Sequence, residues 1–338
     1  MIRSKRFDKR RLNGGTETIS FHGQTNLTGS VRSVMAVRRK IGFLLLTLLF
    51  GLSLNGALHA DKGTPPEKIK VLLVDGQNNH DWQGCSPVMI DTLEVTGRFT
   101  VERVTVMKGE VADFNPEFTK YYVILSNYNG EPWMRETRAA FVKYIEEGGS
   151  LVVVHAADNS FPEWKEYNAM IGLGGWGGRN EKDGPYVYWK EGGVFRDQSK
   201  GEGGSHGRSW TYKVVVRDKE HPITRGLPKE FLQVKEELYD RLRGPAENMS
   251  ILATALAKGG SERHEPVLMT IAYGEGRVFH TVMGHDHRSM QGVAFQETFI
   301  RGTEWAATGK VTFPPVSQET LPVNRAVYRH PLEIKLGD

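Results

Sequence analysis

A single cysteine, Cys85, stands in 338 residues. One thiol excludes an intrachain disulfide and a cysteine-built zinc cluster. No Gly-x-Ser-x-Gly elbow is present, which removes that serine-hydrolase signature. No apolar run reaches the roughly 20 residues of a comfortable membrane span. Basic charge is also scarcer than it looks. The chain carries 44 Lys and Arg against 40 Asp and Glu. Residues 1–60 hold 10 and 2 of these, which leaves 34 against 38 beyond them, a net of −4. The basicity belongs to the first segment, so nothing points to a nucleic-acid partner.

That first segment reads as a leader. Arg38, Arg39 and Lys40 precede apolar residues 41–54, and small residues follow to Ala60. A basic stretch, a short apolar core and a small-residue end describe a secretory signal peptide, with cleavage expected after Ala60. Export to the periplasm or beyond is the expected localisation, with no stable membrane insertion once the leader is removed. Met35 would give a leader of ordinary length, so residues 1–34 read as a mis-assigned start. Residues 61–68 read as a polar linker, 69–310 as one domain and 311–338 as an irregular tail.

Within the domain, β-branched runs alternate with helical patterns. Strands are expected at 69–75, 99–106, 121–126 and 151–155, and helices at 87–96 and 132–147. That alternation predicts a doubly wound, mostly parallel α/β sheet. Residues 156–209 break the pattern with dense glycine, and a loop of that length is expected to be functional. The stretch 172–208 is expected as a lid or rim over a site. Strands resume at 210–217, 250–257, 266–273 and 277–283, the last two as an antiparallel hairpin, and a helix closes the domain at 291–308.

Three apolar runs end in histidine-bearing polar loops: 69–75 before His80 and Asp81, 151–154 before His155 and Asp158, and 277–283 before His285, Asp286 and His287. Ligands of open α/β sheets bind beyond the carboxyl ends of their strands, and imidazoles serve there as metal ligands or acid/base groups. The alternatives are a half-buried structural His155, a solvent-exposed His287, and an Asp81 that caps a helix starting near Trp82. Glu236, Glu237 and Asp240 surround Tyr239; they are either a solvated charge run or the source of one inward carboxylate. The string from Gly172 to Gly177 matches the dinucleotide fingerprint, but a helical stretch precedes it and no helix follows, so no nucleotide cofactor is expected. Cys85 reads as a buried structural thiol. Trp82, Trp164, Trp176 and Trp189 lie near candidate loops and would suit stacking on sugar faces. His206, in the glycine-rich stretch, is undecided.

Taken together, these segments resemble the ThuA-like (trehalose-utilisation) family. The resemblance rests on Asn79, His80, Asp81 and Trp82; on the strand into His155, Ala156, Ala157 and Asp158; on His221 to Pro228; on Glu236, Glu237, Leu238 and Tyr239; on Pro266 and Val267; and on Tyr273 to Phe279 with Gly284, His285 and Asp286. The family usually carries Asp where this chain has Glu236. The resemblance implies a class I glutamine amidotransferase-like, flavodoxin-like fold and a link to disaccharide catabolism. True amidotransferases carry a cysteine at the strand-end elbow. Here the strand runs into His155, so cysteine-dependent glutaminase chemistry is not expected.

Two functions are therefore carried forward. The first is an exported enzyme of sugar or keto-glycoside catabolism, of hydrolase, lyase or isomerase type. His155, Glu237 and His285 would be its catalytic or metal-binding cluster, with His80, Asp81, Trp82, Asp158, Tyr239 and Asp286 toward a small sugar or glycoside. Imidazoles plus a carboxylate suit zinc or a similar divalent ion. The second is a non-catalytic carbohydrate-binding or scaffold domain whose histidines only hydrogen-bond. Truncating a rim His155 is expected to cost about 1 kcal/mol; truncating a core histidine would cost more.

Overall fold

The computed structural model describes residues 67–335. The leader and nearly all of the linker lie outside the described residues. Strand β1 (Ile69–Asp75) leads to helix α1 (Trp82–Glu94), β2 (Phe99–Thr105), β3 (Val123–Ser126), α2 (Arg135–Glu146) and β4 (Ser150–Val154). After α3 (Lys165–Ile171) come β5 (Tyr186–Lys190), β6 (Gly193–Asp197), β7 (Ser205–His206) and β8 (Trp210–Val216). The chain continues through β9 (Glu230–Glu236), β10 (Tyr239–Asp240), β11 (Met249–Leu256), β12 (His264–Tyr273), β13 (Gly276–Thr281) and α4 (Val293–Thr308).

The main sheet runs in the order β2-β1-β3-β4-β13-β12-β11-β8-β9. Every pairing from β2 to β13 is parallel. Every pairing from β13 to β9 is antiparallel. The fold is thus the doubly wound α/β class with an antiparallel hairpin, β12–β13, joined to its parallel half. The antiparallel part continues past that hairpin through β11, β8 and β9. β5 and β6 attach to β12 as a further hairpin, and β7 pairs with β10 as a separate ribbon.

The central strands are buried on both faces, as parallel strands under helices must be. Leu151, Val152, Val153 and Val154 of β4 are wholly inaccessible. α4 packs so close to β13 that a Cβ at Gly302 would lie 2.1 Å from the Phe279 ring. On the α2 side, Trp133, Phe141 and Trp164 form an aromatic layer. Among the described residues, no helix is long and apolar enough to cross a membrane.

Some boundaries differ from expectation for local reasons. α1 starts at Trp82 rather than residue 87, because the Asp81 carboxylate accepts the Gly84 N–H and caps it there, with Pro87 inside the second turn. The stretch 172–208 holds β5, β6 and β7 rather than continuous loop. Its first part is fastened by the buried Arg179, which donates to the carbonyls of Asn159 and Gly175 through Nη1 and of Ser160 through Nη2.

Candidate metal centre

Three strand ends turn through left-handed backbone: β1 at Gly76 (φ 112°), β4 at His155 (φ 46°) and β13 at Gly284 (φ 111°). Glycine adopts that conformation freely, and at Gly76 there is no room for more, since a Cβ would meet the Val106 oxygen at 2.4 Å. His155 carries a Cβ, so its corner costs about 1–2 kcal/mol. Strain of this kind concentrates at functional sites.

The buried His155 ring has one assignable tautomer. A carbonyl can only accept, so Nδ1–H donates to the Val282 oxygen at 2.6 Å. Nε2 then keeps its lone pair, and it is buried without a protein partner. Burial first, and then the neighbouring His80, hold this imidazole well below the usual histidine range, so it is neutral. Its ring lies 4.0 Å from the Tyr239 ring.

His80 follows Gly76 in the loop after β1. The Asn78 side-chain oxygen accepts its backbone N–H at 2.9 Å and lies 3.3 Å from Nδ1. Asn78 in turn donates to Asn127 beyond β3. This leaves His80 Nε2 facing Glu237 Oε2 at 3.8 Å. His285 Nδ1 lies 3.0 Å from the same oxygen, yet the two atoms are not aligned as a hydrogen bond with each other. Burial opposes charge on both, but the pairing outweighs it. Glu237 is held well below the usual carboxylate range by His285 and His80, and His285 is raised by Glu237.

The donor atoms of His80, His155, Glu237 and His285 lie within 4.8 Å of one another. The three imidazoles stand nearly perpendicular, with centroids 4.7, 4.8 and 5.4 Å apart. Three nitrogens and one carboxylate, with His155 Nε2 buried and unpartnered, fit a zinc-like divalent ion. The expected trio of His155, Glu237 and His285 is thus brought together, with His80 as a fourth member.

Beside this cluster opens a cavity of about 410 Å³, within the roughly 300–1,000 Å³ of small-molecule sites. His80 belongs to both, and Tyr239, whose ring packs against His155, lines the cavity. Its walls add the amides of Asn79, Asn129 and Asn159 and the aromatic faces of Trp176 and Phe161. Among the described residues, no lysine, arginine or carboxylate lines it. His206 stands at its edge, with Nδ1 3.4 Å from Glu237 Oε1.

The remaining sequence candidates have other partners. Asp81 caps α1 and accepts from His287 Nδ1 at 2.7 Å. Trp82 lies under the Arg103 guanidinium. Asp158 is wholly buried behind the site, 3.2 Å from His280 Nε2. Asp286 caps its own turn by accepting from the Arg288 and Ser289 amides. Trp164 lies in the aromatic core, and Trp189 packs under Arg217. Cys85 is buried, and burial pushes its thiol up. Asn129 and Asn159 were missed although they follow β3 and β4 just as the histidines follow their strands.

Known proteins resemble this chain in sequence and in fold. A family profile described as ThuA, trehalose utilisation, matches residues 70–306. A putative ThuA-like protein from Parabacteroides merdae is 44% identical; the match covers 79% of this chain and 100% of that one, with a TM-score of 0.76. A second putative ThuA-like protein, from Bacteroides uniformis, is 18% identical over 72% of this chain and 93% of its own, with a TM-score of 0.49. None of the curated proteins matches.

Proposed function

Since the chain belongs to the ThuA, trehalose-utilisation, family, we propose that it is a divalent-metal enzyme acting on a sugar or an oxidised glycoside. The observation that carries this reading is the convergence of His80, His155, Glu237 and His285 on one point, with His155 Nε2 buried and unpartnered. A divalent ion held there would supply Lewis-acid chemistry suited to a hydrolase, lyase or isomerase.

The rest of the work falls to the chain's own groups. Asn79, Asn129 and Asn159 offer donors and acceptors to sugar hydroxyls, and the Trp176 face offers a stacking surface. A wall without fixed charge suits a neutral ligand. Burial holds the Tyr239 phenol well above its usual range, so it stays protonated and donates rather than abstracts. His206 Nδ1–H donates to the Gly207 carbonyl at 2.9 Å and lies 3.4 Å from Glu237 Oε1, which leaves Nε2 as the nitrogen to exchange a proton with a ligand.

The aromatic and amide wall equally favours a second reading, a carbohydrate-binding domain without turnover. Metal analysis of purified full-length protein separates the two when followed by a screen of glycosides and keto-glycosides with loaded, stripped and His155→Ala protein. Stoichiometric metal and metal-dependent turnover are expected. Sugar binding that is indifferent to metal and to His155→Ala sinks the enzyme reading. We further propose export through the segment from Arg38 to Ala60. N-terminal sequencing of secreted material should begin near Asp61, and intact protein retained in the cytoplasm refutes it.

A further inference from the structure

We propose that Glu236 is a positioning residue that holds the His285 loop in register with Glu237, so that both donors meet at one point. The inference rests on the metal reading above and extends it to a residue outside the donor set.

Glu236 ends β9 and is wholly buried. Its Oε1 accepts the His285 N–H at 2.9 Å, and its Oε2 accepts the Gly284 N–H at 2.9 Å. Oε2 also accepts the Gln233 side-chain amide at 3.0 Å. Gln233 Nε2 reaches on to the Ser289 carbonyl at 3.1 Å. β9 therefore grips the loop at both ends, at 284–285 through Glu236 and at 289 through Gln233. Between those grips the loop is closed on itself by Asp286. It has little room to shift, because a Cβ at Gly284 would meet Val154 at 2.8 Å and Met290 at 3.0 Å.

The next residue in the chain, Glu237, is itself a donor. One carboxylate thus ties the segment that supplies Glu237 to the segment, 48 residues on, that supplies His285. Three donors converge on Glu236, and only a carboxylate has the acceptors for all of them. An amide in its place presents an NH₂ group to at least one backbone N–H, so the loop must move. Moving it breaks the 3.0 Å spacing of His285 Nδ1 and Glu237 Oε2.

The test titrates cobalt(II) into stripped full-length protein at pH 8 and follows the visible absorption bands, which report ligand geometry. Wild type, Glu236→Gln and Glu236→Asp are compared, each with a thermal melt. Wild type should bind one cobalt. Glu236→Gln should bind at least 10-fold more weakly, with shifted bands, as loss of a residue that orients a ligand does. Glu236→Asp keeps the charge and should recover part of the affinity. If Glu236→Gln does not fold, Glu236→Asp decides alone: weakened cobalt binding supports the proposal and wild-type binding overturns it. A Glu236→Gln variant that melts lower yet keeps wild-type affinity and bands makes Glu236 merely structural. Wild type that takes up no cobalt defeats the metal reading itself, and Glu236 as a positioning residue falls with it.

Discussion

Replacing His155 by alanine and by glycine separates its two burdens. The imidazole donates to the Val282 carbonyl and fills a buried place against Tyr239. Leaving that carbonyl buried and unpaired costs about 1–3 kcal/mol, and the void left by the ring adds to it. His155→Ala is therefore expected to lose about 2–4 kcal/mol as the stripped protein, above the roughly 1 kcal/mol expected of a rim residue from sequence. Alanine also inherits the left-handed corner at φ 46°. Glycine escapes about 1–2 kcal/mol of that strain and gives back about 0.5–1 kcal/mol in unfolded-chain entropy. His155→Gly should thus be the more stable variant by about 0.5–1 kcal/mol. A metal-binding wild type gains about 2.7 kcal/mol from free ion at 100 times its Kd, and both variants should lose most of that gain. The assay is urea unfolding with and without chelator. Alanine matching or exceeding glycine refutes the strain argument. A variant that keeps the full metal-dependent gain refutes the ligand role.

Glu265 is wholly buried, and burial pushes its carboxyl up to about 7 from an ordinary 4.5, against the Ser261 hydrogen bond. The folded state therefore keeps the proton longer than the unfolded chain, and stability present below pH 4.5 is lost as pH rises to 7, by about 3 kcal/mol. Glu265→Gln should flatten unfolding free energy measured from pH 5 to 8, and an unchanged slope counts against the buried titration. Arg179→Met strands the carbonyls of Asn159, Ser160 and Gly175 and should cost about 3 kcal/mol or more. Hydrogen exchange should quicken across 172–178, and wild-type protection there would show that the clamp is dispensable. Trp176→Ala should weaken binding of a neutral sugar about 10-fold, an aromatic contact of roughly 1.4 kcal/mol, with metal content unchanged. Equal affinity by calorimetry removes Trp176 from the binding wall.

The parallel half was legible because its strands are short apolar runs that need no distant information: β3 and β4 are continuous blocks of buried residues, and β1 is buried at every position but Lys70. β9 was not legible. It buries Phe231, Gln233, Val234 and Glu236 in an irregular pattern, and the buried polar side chains disguise a strand whose place in the sheet local sequence does not announce. β5 was hidden among glycines that read as loop. The strand-end rule located His80, His155 and His285. It also pointed to Asp158 and Asp286, whose partners, His280 and the Ser289 turn, only the folded chain reveals. Glu236 read as part of a charge run because nothing near it in sequence announces the backbone N–H groups it accepts.

The donor set has a kinetic consequence. His80 and His155 follow strands of the parallel half, while Glu237 follows β9, the last strand of the antiparallel half. No early local structure can assemble these groups, because they are separated by tens of residues and the strands between them must first pair. Long-range contacts of this kind form late. An ion bound by this set would therefore not seed folding as it does in a zinc finger. On the metal reading it would close the chain after the sheet is built, and the rate at which refolding protein captures metal should follow completion of the whole sheet rather than collapse of either half.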